Sequence, residues 1–199
     1  GHSTCDTSPR QEAVTVMKTH LMWTVVLMLM LGLPSAASAQ QRMPHASANG
    51  LGVEVGVFTP RQSGFGTGLD IDGTLEHYID ARDSLRADVG WMQAKQNNDS
   101  LKSVREIRVG GDVVHNWEGG AIHPFVGAGL GVYFLQARNN GTNDGNGATN
   151  FGGNLLGGLE FFTSKTFAVK AEARYHIVTK WNGYDPSGFA LTVGLKSYF

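Results

Sequence analysis

The chain has 199 residues, with 16 Lys and Arg against 17 Asp and Glu and a formal net charge of −1. That balance, without a basic patch or run, excludes the electrostatic footprint of a nucleic-acid binder. The single cysteine is Cys5, far upstream of the expected mature start, so disulfides, thiol nucleophiles and cysteine metal clusters are excluded from the domain proper, and no side-chain pattern calls for a cofactor.

Residues 1–16 precede Met17 and read as an upstream extension that is not native to the protein. Met17 and Lys18 lead into an apolar run over 21–33, followed by Pro34 and by Ala37-Ser38-Ala39. A positive start, a short apolar core and an A-x-A site in that order predict a signal peptide over 17–39, cut after Ala39. The apolar run is about 13 residues, well short of the roughly 20 that a spanning helix needs. No cysteine follows the cut, which argues against a lipid anchor. Residues 40–48 are expected as a short periplasmic segment and 49–199 as the folded domain. A mature chain of about 160 residues suits one domain.

From residue 50 onward the side chains alternate with a period of two, the signature of strands. Segment 50–58 sets Leu51, Val53, Val55 and Val57 against Glu54 and two glycines. In 66–78, Leu69, Ile71, Leu75 and His77 oppose Asp70, Asp72, Thr74 and Glu76. Leu85, Ala87, Val89 and Trp91 oppose Arg86, Asp88 and Gly90, and Ile107, Val109 and Val113 oppose Glu106, Arg108 and Asp112. In 125–135, Val126, Ala128, Leu130, Val132 and Phe134 oppose three glycines and Tyr133. Leu155, Leu159 and Phe161 oppose Asn154, Gly158 and Glu160. The clearest case is 167–178, where Phe167, Val169, Ala171, Ala173, Tyr175 and Ile177 oppose Lys170, Glu172, Arg174 and His176. Phe189, Leu191, Val193, Leu195 and Phe199 oppose Thr192, Gly194 and Lys196 at the end. Eight alternating segments and no helical period predict an all-β fold.

The links between segments also alternate. Short ones are expected at 80–83, 118–120 and 163–166, and longer ones at 95–102, 139–149 and 180–186, with 59–64 a short exception. Outer-membrane barrels connect their strands this way, with short periplasmic turns and longer outer loops. The Asn-, Gly- and Thr-rich stretch 139–150 is expected to be a mobile loop tip.

Eight antiparallel strands can close with either face inward, and the glycines decide which. Many of the 27 glycines fall on the polar face. A solvated outer face has room for long side chains, whereas the narrow lumen of a small barrel must interleave long side chains with residues that have none. The branched and aromatic face therefore meets lipid, and a lumen charge network is expected from Glu54, Asp70, Asp72, Glu76, Arg86, Asp88, Glu106, Arg108, Asp112, Glu160, Lys170, Glu172, Arg174, His176 and Lys196. Trp91, Trp117, Phe134, Phe161, Phe162, Tyr184 and Phe199 lie near segment ends and are expected in interfacial girdles.

Three stretches carry a family resemblance. The run from Pro124 through Phe125, Val126 and Gly127 to Gly131, then Gly157-Gly158-Leu159-Glu160, then Glu172-Ala173-Arg174-Tyr175, resemble successive strands of the OmpA-like and OmpX-like small outer-membrane barrels, over roughly residues 49–199. The resemblance implies an eight-stranded antiparallel up-and-down transmembrane β-barrel, surrounded by outer-membrane lipids and lipopolysaccharide and working as a monomer. The closing Leu191, Val193, Leu195 and Phe199 resemble the C-terminal signal read by the outer-membrane assembly machinery, with Ser197 departing from it.

Function is weighed among three classes. The lumen charges read first as a structural filling, since eight strands enclose just enough room for side chains; the implied role is structural or interactive at the cell surface. A narrow porin-like channel for small solutes or ions is the alternative, with the acidic excess favouring cations. An enzyme acting on lipid A is the third reading, and the residues argue against it. The lipid A deacylase family uses a His-x-Ser pair, whereas His176 is followed by Ile177 and Val178, and Ser187 sits in no nucleophile elbow. His77 and His115 read as interfacial residues, His45 and His123 lack partners at metal spacing, and Asn143-Asp144-Gly145 reads as a turn, not a calcium loop.

Overall fold

A computed structural model describes residues 44–117, 121–181 and 183–199. The expected signal peptide, the expected upstream extension and the 118–120 link lie outside these residues. Eight long strands alternate inward and outward as the period of two requires: β1 Asn49–Pro60, β2 Gly68–Tyr78, β3 Asp83–Gln96, β4 Asp99–Asn116, β5 Ile122–Asn139, β7 Ala148–Phe162, β8 Phe167–Val178 and β9 Gly188–Tyr198. A two-residue strand, β6 (Thr142–Asn143), extends β5 into its loop. Every pairing is antiparallel and joins long strands that follow one another in the chain, apart from β1 with β9, which closes the sheet. Asn49 N–H donates to Phe199 C=O at 2.8 Å, and Phe199 N–H returns the bond at 2.9 Å, so first and last strands seal each other. Closure leaves no long strand with an unpaired edge, the condition for β structure in hydrocarbon.

The two faces differ as the glycine argument requires. Leu51, Val53, Val55, Leu75, Val89, Val109, Leu155, Leu191 and Leu195 point outward and stay exposed, and Leu130 reaches 77 %. Glu54, Asp72, Arg86, Arg108, Glu160 and Lys170 point inward and are buried. Gly90 shows why the lumen needs glycine: a Cβ there would collide with the Asp72 carboxylate and stand 3.2 Å from the Arg108 guanidinium.

Two expectations change. The 95–102 loop shrinks to a turn at 97–98, because β3 runs to Gln96 and β4 starts at Asp99. At 18 residues, β4 and β5 exceed the roughly 10 that cross a bilayer, so their far ends stand clear of lipid. There strands need no apolar face, and polarity no longer marks where they stop. The 139–149 stretch likewise folds back as a short hairpin through β6, over Asn140 and Gly141 at φ 49° and 79°. Phe162 is also displaced from the expected girdle. It is buried and stacked on Tyr198 with ring centroids 5.2 Å apart, because its parity on β7 points it inward. Trp117, Phe134 and Phe199 do face outward.

Candidate functional site

The lumen is built in layers, each from inward positions of strands that register side by side. The layer nearest Asn49 and Phe199 is aromatic: Ala48, Tyr78, Phe162, Ala168 and Tyr198 form one buried cluster, and His123 lies against Phe162 at 4.7 Å. Above it Lys196 reaches across from β9. Its Nζ donates to Glu76 Oε2 and Glu160 Oε1, both at 2.8 Å, and to the Tyr78 hydroxyl at 3.1 Å. The same ammonium lies 4.8 Å from the Tyr198 ring centre, a cation–π contact. Tyr198 donates its hydroxyl to Glu160, and Ser84 donates to Glu76.

The next layers repeat this sharing of bases. Arg86 bridges Glu76 at 3.0 Å and Glu172 at 2.7 Å, linking β3 to β2 and to β8 across the barrel. Lys170 bridges Glu54 at 2.6 Å and Glu172 at 2.7 Å. The Phe125 ring lies between these two bases, 5.4 Å from Arg86 and 5.3 Å from Lys170. Arg174 donates to Glu172 at 2.8 Å and to Asp88 at 3.2 Å, and pairs with Asp112 at 3.2 Å. Asn154 donates to the other Asp112 oxygen at 2.9 Å, and Thr192 to Glu54 at 2.9 Å. Arg108 donates to Asp88 at 2.7 Å and to Asp72 at 2.9 Å, and its Nη1 lies 3.1 Å from His176 Nε2. The Tyr133 hydroxyl is 3.2 Å from the other ring nitrogen of that histidine.

Thirteen of the fifteen expected network residues thus touch one another through ion pairs or hydrogen bonds. The two left apart are Asp70 and Glu106. Both are buried, and none of their four carboxyl oxygens has a hydrogen-bond partner among the described residues. They flank Met92 at one level, Asp70 opposite it on β2 and Glu106 opposite it on β4. Tyr133, Asn154 and Thr192, on the polar face by alternation, are buried in the lumen as well, and so are Ser84 and Tyr198, which share that parity.

The remaining candidates sit elsewhere. His77 faces outward and lies 2.9 Å from Asn49 Oδ1, and His115 faces outward against Asp83 at 2.6 Å with Trp117 edge-on at 4.8 Å. The Ser187 hydroxyl sits on the Val178 backbone, accepting from its N–H at 3.1 Å and lying 3.3 Å from its carbonyl oxygen. Leu191, Val193 and Leu195 line the outward face of β9, and Phe199 is exposed at its end.

A closed barrel with apolar staves and a charged, glycine-packed lumen matches a known family model. The outer membrane protein beta-barrel domain covers residues 24–198. The chain belongs to that family. Among solved structures, Neisserial surface protein A superposes with a TM-score of 0.61 at 16% identity, over 76% of this chain and 96% of that one. The N-terminal β-barrel domain of Pseudomonas aeruginosa OprF gives 0.56 at 12% identity, over 78% and 100%. Ail, the attachment invasion locus protein of Yersinia pestis, gives 0.55 at 11% identity, over 77% and 99%. At these identities the likeness is one of fold. No curated protein matches the chain. Within the family's architecture, this chain's charged lumen and its loop-bearing mouth are the features left to carry function.

Proposed function

We propose that the protein is a plugged barrel: a structural, surface-presenting element of the bacterial outer membrane whose lumen holds the wall together and carries no solute stream. The observation that supports this is the sharing of bases. Each of the five buried Lys and Arg residues contacts at least two carboxylates, drawn from more than one strand, and the aromatic layer lies across one end. Opening a path would strip partners from buried ions, at several kcal/mol per ion.

The rest of the reading follows from this orientation. A signal peptide over 17–39 exports the chain, the assembly machinery reads Leu191, Val193, Leu195 and Phe199, and the barrel sits as a monomer among lipids and lipopolysaccharide. The end bearing the termini and the 79–82 and 163–166 turns faces the periplasm. No enzymatic role is assigned: His176 points into the network and the Ser187 hydroxyl is engaged by backbone. Planar-bilayer recording on pure, folded protein tests the plug. Silence is expected, and discrete single-channel steps would overturn it in favour of a narrow pore. Turnover of radiolabelled lipid A would overturn the non-enzymatic part.

A further inference from the structure

The mouth opposite the termini holds a cavity of about 540 Å³, within the range of small-molecule sites. Three aromatic side chains, Phe65, Trp181 and Tyr184, line it together with Gln62, Asp144 and Asn146. Phe65 and Tyr184 meet edge to face, with centroids 5.0 Å apart.

The walls are pinned by backbone bonds. Trp181 and Tyr184 exchange N–H donations at 2.9 and 2.7 Å, which holds both rings on one tight turn. Gly66 N–H donates to Lys95 C=O at 2.8 Å, Asp144 N–H to Ala137 C=O at 2.9 Å, and Asp185 N–H to Gln62 Oε1 at 3.3 Å. A cup held in shape before binding loses less freedom when a ligand enters.

The chemistry of the cup is lopsided. Its lining contains a carboxylate but no Lys or Arg. Val104 lines it too, and two residues further down the same inward row stands Glu106, with Asp70 at the same level. These are the two buried carboxyls without a hydrogen-bond partner. Burial first, and then the carboxyls of Glu106 and Asp185, raise the Tyr184 phenol above its ordinary range. Among the bases on this side, Arg108, one layer below, is bonded to Asp72 and Asp88, while Arg61 and Lys180 act on Asp185 at the rim. Through the whole lumen, nine buried carboxyls face five buried bases.

Aromatic faces attract cations through the ring quadrupole, and a buried carboxyl without a bonded partner ionises readily only once a cation stands near it. We infer that the mouth is a binding site for organic cations, of the primary or quaternary amine class, held by Phe65, Trp181 and Tyr184 with Asp144, Glu106 and Asp70 as counter-charges. A sulfated or phosphorylated ligand would find no Lys or Arg in the lining, and a purely apolar one would leave its carboxyl uncompensated. The site lies above the network that plugs the barrel and does not depend on whether the lumen conducts.

Choline and its uncharged isostere dimethylbutanol separate charge from shape. In titrations of the folded full chain in detergent, followed by tryptophan fluorescence and calorimetry, choline is expected to saturate and to bind at least tenfold more tightly than the isostere. Trp181→Ala and Glu106→Gln should each weaken choline at least fivefold while keeping heat-modifiable gel mobility. Asp144→Asn, in a loop outside the strands, should weaken it too and serves if a lumen variant fails to fold. Equal binding of the isostere, absence of saturation by choline, or wild-type affinity in the folded variants would each overturn the amine site. Loss of the amine site with silent bilayers would leave the plug standing, whereas channel steps with choline binding intact would remove the plug alone.

Discussion

The two halves of the lumen treat charge differently. Near the termini, Glu76, Glu160, Glu172 and Glu54 are held by Lys196, Arg86 and Lys170, each base shared between acids on different strands. Near the mouth, Asp70 and Glu106 are equally buried and have no such base. Burial alone therefore does not define the role of a charge in this barrel. Where bases cross-link strands, acids are structural. Where acids stand without bonded bases, the wall holds together for other reasons, and their ionisation is favoured only when a cation arrives.

The largest expected effect breaks the lower half. Lys196→Met removes the ammonium that Glu76 and Glu160 share and leaves both carboxylates buried without it. Stripping one partner from a buried pair costs about 3–5 kcal/mol, so the urea midpoint of the folded barrel in lipid vesicles should drop by that equivalent. An unchanged midpoint would mean that the lower network is ornamental. A second substitution calibrates the scale from outside. Val55 lies mid-strand on β1 with its side chain outward and half exposed. Val55→Arg should cost about 2–4 kcal/mol in vesicles if that face meets the bilayer midplane. A near-neutral result there would reverse the inside–outside assignment on which both halves depend.

The upper half should respond in the opposite sense. Asp70→Asn keeps the shape and removes a buried carboxyl to which no base is bonded. Vesicle stability should stay within about 1 kcal/mol of wild type or rise, since an unpaired buried charge costs more than it returns. A loss as large as that of Lys196→Met would show that Asp70 is cross-linked after all, and the contrast between the halves would collapse.

Much of this was legible from alternation. The 167–178 segment matches β8 residue for residue, and the parity of Glu54, Arg86, Arg108 and Lys170 placed each in the lumen because a period of two leaves only two faces. Phe162 was misassigned because its position near a strand end was given more weight than its parity, which pairs it with Ala168 on the inner row. The 95–102 turn was overdrawn because polarity stops reporting strand ends beyond the bilayer. What sequence could not tell is which base serves which acid. Arg86 meets Glu172 at 2.7 Å from across the barrel, 86 residues away in sequence. Such pairings depend on the stagger at which the sheet closes, so the isolation of Asp70 and Glu106 was invisible until the register was known.

The smallest effect lies in the connections, and it tests the same contrast at the two rims. At the terminal end, Asp80 Oδ1 accepts from the N–H groups of Asp83 and Arg82, both at 2.7 Å, and those bonds hold its carboxyl below the usual range. At the mouth, the Asp185 carboxyl is lowered first by the Ser187 side chain, and it also accepts from the Ser187 N–H at 3.1 Å. A folded-state value below the unfolded one means that each contribution is full above the ordinary carboxylate range. It is lost as pH falls through the lowered value. Protection of the Arg82 and Asp83 amides, relative to their intrinsic exchange at each pH, should therefore be full at neutral pH and fall only under acid, and Asp80→Asn should remove that acid dependence while leaving Ser187 unchanged. Choline should slow exchange at Ser187, on the cup's side, and leave Arg82 and Asp83 as they were. Equal protection at both rims would mean that the ligand acts on the whole barrel, and the division between a fixed lower lumen and a receptive upper one would fail.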